Sequence, residues 1–240
     1  MKSPPPKTQL PETACDAATP GWKRALDVCL ILLALPLLLP LAILIAVLIR
    51  GVSAGPVLFR QERVGHLGGR FMCLKFRTMT IGAETSKHQE HFRQLIHSDA
   101  PMVKLDAQGD ARIIPCGVWL RSSGLDELPQ LINVLRGEMS LVGPRPCTAF
   151  EYGHFQPGQR ERFRTLPGLT GLWQVSGKNR TTFAEMIEMD SSYARNKSLR
   201  LDLAIIFKTL PVMLGQVWCA WKKKSLLLTA RSRRAARLPS

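Results

Sequence analysis

The feature that most constrains this chain is an apolar stretch close to its N-terminus. From Ala25 to Ile49 the only charged residue is Asp27, and Arg50 closes the stretch. As one straight helix it would extend roughly 37 Å, enough to cross the hydrocarbon core of a bilayer. A secretory signal peptide needs a shorter apolar run with a small-residue cleavage site, and a buried soluble helix is rarely apolar on every side. The stretch therefore predicts membrane insertion.

Two prolines and the flanking charges bear on the path of this segment. Pro36 and Pro40 lie near its middle, where each removes a backbone donor and favours a kink. Both flanks are basic, through Lys23, Arg24, Arg50, Arg60, Arg63 and Arg70. The positive-inside rule would place both flanks in the cytosol. A helix that breaks at the prolines and returns to the same face satisfies both observations. A simple span stays open from the residues alone, but the re-entrant path is favoured.

The composition predicts one globular domain with basic appendages. The chain is 45% hydrophobic and 21% charged, within the normal range of folded proteins. Its 33 basic and 18 acidic residues give a formal charge of +15, which indicates anionic partners: nucleic acid, a membrane surface or phosphorylated substrates. The 6 scattered cysteines form no C-x-x-C pair, which disfavours a zinc site or a disulfide framework. His88 and His91 suit a solvated helix better than a metal site.

Changes in amino-acid composition along the chain predict four segments. The first is proline-rich and polar, so it cannot bury enough surface to fold alone. The last carries basic residues and no acid, which suits an anionic membrane leaflet. The predicted segments are a disordered tail (1–22), a membrane helix (23–50), a globular domain (51–218) and a basic tail (219–240).

The globular domain is predicted to be α+β and mostly helical. Two short strands, Pro56–Phe59 and Phe71–Phe76, flank glycine turn signals and predict a β-hairpin. Residues 80–112 are polar and predict a helix with a mobile loop. Helical patterns follow at Phe183–Tyr193 and Leu201–Trp221, and the second suits an amphipathic helix in the membrane interface better than a second span.

Another predicted helix carries two adjacent acids in its first turn. Leucines recur at helical spacing through Leu125–Leu135, and Ser123 is the expected N-cap. This places Asp126 and Glu127 at the helix N-terminus, where acids complement the helix dipole without any further function. The pair becomes a candidate site only because of the residues around it.

Several basic side chains occur at turns and element ends, where they can converge on a ligand. They are Lys75, Arg77, Arg121, Arg145 and Lys178. Two rigid loops are predicted, at 143–146 and 167–178, and the first holds Arg145 between two prolines. A carboxylate nucleophile beside a carboxylate metal ligand, among guanidinium groups, suits phosphoryl transfer with Mg²⁺. Taken singly, each arginine is better explained as a solvated surface charge.

Five motifs follow one another over about residues 23–215. They are Lys23-Arg24-x-x-Asp27, Lys75-Phe-Arg-Thr-Met79, Leu125-Asp-Glu-Leu-Pro-Gln-Leu131, Gly137-Glu-Met-Ser-Leu-Val-Gly-Pro-Arg-Pro146 and Pro167-Gly-Leu-Thr-Gly-Leu-Trp-Gln174. In order and spacing they resemble the bacterial sugar transferases. These are small monotopic polyprenyl-phosphate phosphoglycosyl transferases, which start exopolysaccharide, capsule or glycan assembly. The resemblance implies a re-entrant membrane helix and a catalytic domain on the cytosolic face of the bacterial inner membrane.

The resemblance also implies roles for individual residues. Asp126 resembles the nucleophile that attacks the β-phosphate of a UDP-sugar, releases UMP and forms a covalent phosphosugar intermediate. Polyprenyl (undecaprenyl) phosphate then accepts the sugar phosphate. Glu127 resembles the Mg²⁺ ligand, and Arg145 a phosphate contact. We expect further substrate contacts at Lys75, Arg77, Arg121, Gln174 and Lys178. A UDP-hexose is the expected donor, membrane lipids are expected partners, and an interfacial homodimer is compatible with this reading.

The chain departs from the family pattern at two places. Leu39-Pro40 replaces a common Ser-Pro, so no serine hydroxyl supports a kink there. Gly177-Lys178-Asn179 replaces a common Gly-Arg-Asn, which keeps the charge but loses the planar guanidinium. Donor contacts at Lys178 are the ones this change affects.

Two other functions fit part of the sequence. A glycosyl transferase that moves the sugar alone usually holds its metal with a D-x-D motif, and the chain contains none. A basic membrane adapter or nucleic-acid binder would explain the charge of +15. It would not explain the acidic pair or the Pro-Arg-Pro loop, and the charge is spread along the chain instead of concentrated in a recognition helix.

Overall fold

The computed structural model of the chain describes residues 19–80, 86–96, 98, 100–102, 112–177, 180–215 and 218. Its α-helices are α1 (Gly21–Val52), α2 (Ser86–Ile96), α3 (Gly117–Ser123), α4 (Gln130–Leu135), α5 (Ala149–His154), α6 (Leu172–Ser176), α7 (Phe183–Asn196) and α8 (199–215). The strands are β1 (Leu58–Val64), β2 (Arg70–Phe76), β3 (Ser140–Val142) and β4 (Gly168–Thr170). Short 3-10 helices occupy His66–Gly68, Leu125–Glu127 and Pro157–Arg164. The mostly helical α+β class is confirmed.

The predicted β-hairpin is present. β1 and β2 pair antiparallel from Leu58 opposite Phe76 to Val64 opposite Arg70, so the first strand extends further than predicted. Residues 1–18 of the predicted disordered tail, the whole basic tail 219–240 and much of the polar stretch 80–112 lie outside the described residues. The predicted tail ends too late, because Gly21 and Trp22 already belong to α1. Within that stretch, α2 supplies the expected helix.

The segment predicted as a rigid loop at 167–178 contains regular structure instead. β4 pairs parallel with β3, and α6 follows directly. The prediction failed because the glycines were read only as turn signals. A Cβ at Gly168 would lie 2.1 Å from the backbone N of Gly143, so glycine permits this close strand approach.

The helix predicted at Leu125–Leu135 is divided, and its predicted cap is wrong. Ser123 is the last residue of α3, and its Oγ donates back to the Trp119 carbonyl at 2.9 Å. Gly124 adopts a left-handed conformation (φ 73°) that ends α3. A 3-10 turn at Leu125–Glu127 follows, and α4 begins only at Gln130. The acidic pair therefore lies on a tight turn between two helices.

The N-terminal end of α1 is tied to the domain by buried polar contacts. Lys23 Nζ donates to Asp202 Oδ2 (2.5 Å), the Tyr193 hydroxyl (2.8 Å) and the Val142 carbonyl (2.8 Å). Asp27 Oδ1 accepts from the Ser140 hydroxyl at 3.0 Å, and a backbone N–H also donates to it. The guanidinium of Arg24 donates to the carbonyls of Val134 and Leu135. Lys23 and Arg24, the basic residues that flank the apolar stretch, therefore also form hydrogen bonds within the protein.

The middle of α1 exposes a broad aliphatic surface. Its large exposed residues are Leu32, Leu33, Leu35, Leu37, Leu39, Ile43, Leu44, Val47 and Leu48. Within the described part of the chain, α1 is the one helix long and apolar enough to cross a membrane. A helix from a soluble core would be mostly buried, so this surface suits lipid. The helix continues through Pro36 and Pro40, which do not divide it in two. The re-entrant path stays a prediction.

Both ends of α1 pack against the same domain. Toward the N-terminus, Ile31 is buried with Val134 and Met139. Toward the C-terminus, Ile45 and Ile49 belong to a second buried cluster, together with Phe76, Ile114 and Leu120. The domain thus contacts α1 on both sides of its exposed middle.

A separate aromatic core supports the far side of the domain. Phe155, Phe163, Trp173 and Phe183 are buried together, with α7 packed along the 3-10 helix Pro157–Arg164. Nearby, Ile205 of α8 is buried against Val142 and Tyr193. The outer side of α8 exposes Phe207, Leu210 and Leu214. This two-sided pattern is the one expected of an interfacial helix.

Candidate active site

The acidic pair opens onto a large cavity. Asp126 and Glu127 both line this space, which has a volume of about 1660 Å³. The ammonium of Lys75, on β2, lies 2.6 Å from Glu127 Oε1, and both side chains are partly buried. A cation in contact with one member of the pair favours its ionised form.

A buried amide holds β2 against the turn that carries the acids. Asn133 of α4 is fully buried; its Oδ1 accepts from the Leu74 N–H at 3.0 Å, and its Nδ2 donates to the Met72 carbonyl at 2.8 Å. Asn133 thus satisfies backbone groups along the edge of β2. The next residue on that strand is Lys75, so these bonds hold the Lys75 end of β2 beside α4, which follows the acidic turn.

Positive side chains from distant parts of the sequence converge on the same region. Burial raises the pKa of the Cys73 thiol, and the nearby charges of Lys75, Arg63 and Arg145 act in the opposite direction. The negative charge of the Glu127 carboxylate also raises the pKa of this thiol, so the carboxylate lies near it as well. The pKa of Arg63 is lowered by burial and then by Arg145, so these two guanidinium groups are close. The cavity wall is therefore strongly positive beside the acidic pair, as an anionic ligand requires.

Arg121 and Arg77 differ in what they contact. Both line the cavity. Arg121 Nη1 lies 3.3 Å from Thr78 Oγ1. Arg77 is 5% exposed, and its terminal nitrogens donate to the carbonyls of Ser53 and Ala54 at 2.8 and 2.7 Å. Both terminal nitrogens of Arg77 thus bind the backbone that follows α1, and a substrate contact by Arg77 stays a prediction.

Gln174 and Lys178 are the remaining residues that the sequence predicted to contact substrate. Gln174 lines the cavity, its Nε2 donates to the Leu169 carbonyl at 3.0 Å, and its buried Oε1 has no hydrogen-bond partner within the described residues. Lys178 lies outside the described residues. Sequence reasoning missed Arg63 and Arg162, which also line the cavity. Arg63 precedes the last residue of β1, close to a glycine turn, which was a usable signal, whereas Arg162 lies in an ordinary polar run.

The cavity has an apolar wall in addition to the charged wall beside the acids. One wall is formed by aliphatic residues of α1 and α8, namely Leu30, Leu33, Ala34, Leu38, Ile206, Leu210, Val212 and Met213. Charged and apolar walls thus belong to one continuous space. Such a space fits a ligand with an anionic head and a hydrocarbon tail.

Comparison with known proteins identifies the family. The family model described as bacterial sugar transferase matches residues 18–216. The chain belongs to the bacterial sugar transferase family. The match covers α1, the acidic pair, the Pro-Arg-Pro loop and α8, so it includes each part of the cavity described above.

Relatives of this sugar transferase include proteins of similar length. The exopolysaccharide production protein ExoY of Rhizobium meliloti is 42% identical over 80% of this chain and 84% of its own length. A Caulobacter vibrioides protein named UDP-glucose:undecaprenyl-phosphate glucose-1-phosphate transferase is 41% identical over 87% of this chain and 74% of its own length. The undecaprenyl-phosphate galactose phosphotransferase of Salmonella typhimurium is 39% identical over 68% of this chain and 34% of its own length. The predicted family and enzyme class, a polyprenyl-phosphate phosphoglycosyl transferase, are confirmed.

The acidic pair of this sugar transferase can be compared with what Mg²⁺ requires. Among the described residues, no three His, Cys, Asp or Glu side chains converge as a metal site. Mg²⁺ usually keeps several waters and binds through one or two carboxylates plus substrate phosphates. Glu127 has a second carboxylate oxygen besides the one near Lys75, and Asp126 adjoins it on the turn. The residues therefore fit a Mg²⁺ ion that arrives with a diphosphate, but not an all-protein metal cage.

Proposed function

We propose that this sugar transferase moves a sugar 1-phosphate from a UDP-sugar to undecaprenyl phosphate at the inner membrane, and releases UMP. The observation that carries the proposal is the single cavity that joins Asp126 and Glu127 to the aliphatic walls of α1 and α8. The acceptor has a phosphate head on a long hydrocarbon tail, and both of its parts find a matching wall. Relatives named for undecaprenyl-phosphate sugar transfer support the same assignment.

The reaction proceeds in two displacements at phosphorus. An oxygen of the Asp126 carboxylate attacks the β-phosphorus of the donor, the bond from that phosphorus to the bridging oxygen breaks, and UMP leaves with the electron pair. The product is a sugar phosphate held as an acyl phosphate on Asp126. An oxygen of the lipid phosphate then attacks the same phosphorus, and the Asp126 carboxylate is regenerated. The aqueous nucleotide can therefore leave before the lipid phosphate reacts.

The cations around the cavity bind and orient the phosphates. Arg145 and Arg121 supply planar guanidinium groups that can pair with two phosphate oxygens at once. Lys75 holds Glu127 in place through their 2.6 Å contact. Glu127 would be the protein ligand of Mg²⁺, which neutralises charge on the donor diphosphate when bound. These contacts stabilise charge that moves onto the bridging oxygen as UMP departs.

The sugar and the released nucleotide are best determined in one experiment. Membranes with the protein are incubated with a panel of radiolabelled UDP-sugars that includes UDP-glucose and UDP-galactose, and the lipids are then extracted. We expect one hexose phosphate to enter the lipid fraction with UMP in the aqueous phase. Release of UDP instead would contradict the proposal, because it would mean that the sugar moved without its phosphate.

The contacts of α1 support a re-entrant path, which gives a testable topology. Lys23 near one end and Ile49 near the other contact the same domain, so a helix that crossed to the opposite side could not keep both. We expect α1 to enter and leave the membrane on the cytosolic side. Cysteines at Trp22→Cys and Ser53→Cys should both react with an impermeant thiol reagent only after the cytosolic side is opened. The parent chain gives the background from its own cysteines. Labelling of one position from the periplasm would show a span.

Arg145→Lys should lower kcat/KM by about 10- to 100-fold. Lysine keeps the charge but cannot form two parallel hydrogen bonds to a phosphate, so the transition state is bound less well. Arg70→Lys is the matched control, because Arg70 is exposed and pairs with Glu62 at the surface. Its kinetics should equal those of the wild type. Near-wild-type turnover by Arg145→Lys would remove Arg145 from the site.

A further inference from the structure

The backbone of the Pro-Arg-Pro loop is held at every carbonyl. Four successive carbonyls, those of residues 144–147, each accept a hydrogen bond, and the donors come from three segments of the chain. The donors, in order, are the N–H of Gly168 (2.9 Å), Arg162 Nη2 (2.9 Å), Arg63 Nη1 (3.4 Å) and the N–H of Val64 (2.8 Å). The two outer bonds come from backbone and the two inner ones from guanidinium groups. The carbonyl of Arg145 itself is held by Arg162.

Arg162 is built into the interior of the domain. It is 2% exposed, and its guanidinium lies over the rings of Phe155 and Phe163. The same Nη2 that donates to the Arg145 carbonyl lies 2.6 Å from Asp190 Oδ2 on α7. Burial raises the pKa of Asp190 to about 6 while Arg162 opposes the rise, so the carboxylate is ionised at neutral pH. The charge of Arg162 is balanced within the protein, which distinguishes it from a group that waits for substrate.

The two prolines alone do not fix the backbone conformation of Arg145, so a hydrogen bond at its carbonyl is needed. The flanking prolines fix φ at 144 and 146, and a residue before proline is confined to an extended region, but ψ at Arg145 can still vary within it. The nearby positive charge of Arg63 repels the Arg145 guanidinium. Without a bond at its carbonyl, the peptide could turn so that the side chain moves away from the acidic pair.

We propose that Arg162 is a positioning residue, which directs the Arg145 side chain into the active site by holding the Arg145 carbonyl, with Asp190 as its counter-ion. The inference rests on the proposed function, since it gives Arg145 a substrate to bind. It assigns to Arg162 no contact with the substrate. If Arg162 acts only through Arg145, its removal costs activity only while Arg145 is present.

A double-mutant cycle tests this dependence. Arg162→Met/Asp190→Leu replaces the buried ion pair by apolar groups and leaves no unpaired charge, a change that folded proteins often tolerate. The readout is the rate of UMP release from UDP-glucose or UDP-galactose, whichever the wild type turns over faster. We expect a loss of about 10- to 100-fold when Arg145 is present. In an Arg145→Ala background, the same pair of changes should cost less than about 3-fold.

Two controls separate positioning from general damage. Arg195→Met/Glu188→Leu removes an exposed ion pair from α7, the helix that carries Asp190, and should leave the rate unchanged. If Arg162→Met/Asp190→Leu does not fold, as judged by its Tm, the cycle is repeated with Arg162→Lys. This change keeps a positive charge for Asp190, but its shorter chain does not bridge the carboxylate and the Arg145 carbonyl.

The outcomes distinguish failure of the positioning role from failure of the proposed function. Equal fold-losses with and without Arg145, in proteins of unchanged Tm, would overturn the positioning role and leave the proposed function intact. A full rate in the Arg162 variants would also overturn it. A wild type that releases no UMP from any donor in the panel would instead contradict the proposed function.

Discussion

Asp126→Asn should abolish the covalent sugar-phosphate adduct and lower turnover on the order of 10⁴-fold or more. The amide is neither charged nor nucleophilic, so it cannot attack the β-phosphorus. The structure favours the carboxylate at this position, because Asp126 lies on a tight turn in a cavity lined by Lys75, Arg121 and Arg145. Cations close to a carboxylate favour its ionised form, which is the form able to attack phosphorus.

Intact-mass measurement with donor alone is the direct test. The wild type should gain the mass of one sugar phosphate, with ping-pong kinetics, and Asp126→Asn should gain none. Glu188→Gln removes an exposed carboxylate from α7 and serves as the control for the amide change. Glu127→Gln should fail differently, through loss of the Mg²⁺ dependence of the rate. Substantial turnover by Asp126→Asn, or UMP release by the wild type without an adduct, would favour direct attack by the lipid.

Lys23→Met should destabilise the folded protein by about 3–5 kcal/mol. The three protons of the Lys23 ammonium match three acceptors: Asp202, the Tyr193 hydroxyl and the Val142 carbonyl. Both members of the ion pair are buried, with side-chain exposures of 0% and 1%. The substitution leaves the Asp202 carboxylate buried without its counter-ion, which costs far more than the loss of a surface pair.

Thermal unfolding in detergent measures this effect. A loss of this size corresponds to a fall in Tm of about 10 °C for a chain of this length. Lys23→Met/Asp202→Leu removes both charges and should recover part of the lost Tm, because no buried ion is left unpaired. Arg195→Met, which breaks only exposed ion pairs, should leave Tm unchanged. An unchanged Tm for Lys23→Met would show that the buried cluster does not anchor α1.

Local patterns predicted local structure where the signal was strong. The hairpin follows from two apolar runs around glycine turns, and α7 follows from the helical pattern at Phe183–Tyr193. The Thr182 capping box that begins α7 was seen only in the structure. The prediction of Ser123 as a helix cap failed because Gly124 can adopt a left-handed conformation that its neighbours disfavour. The spacing of leucines could not show that a 3-10 turn would separate the acids from α4.

Arg77 illustrates a different limit. It shares a motif with Lys75, which predicts a substrate contact, and the motif gives no sign that its guanidinium donates to the carbonyls of Ser53 and Ala54. Carbonyls just beyond the end of α1 need donors, and the long side chain that directly follows β2 supplies them. A sequence pattern cannot tell a cation that binds substrate from one that satisfies the backbone.

The sequence by itself determined the apolar segment, the chemical nature of Asp126-Glu127, the proline-flanked Arg145 and the family, because each depends on residues that are adjacent or regularly spaced. Only the tertiary structure decided which charges are buried together. Lys23 and Asp202 are 179 positions apart, and Arg162 of the 3-10 helix Pro157–Arg164 forms an ion pair with Asp190 of α7. A buried charge is tolerated only beside a partner, and the partner is chosen by how the chain packs, not by its order. Packing likewise decided that the charged and aliphatic walls enclose one cavity.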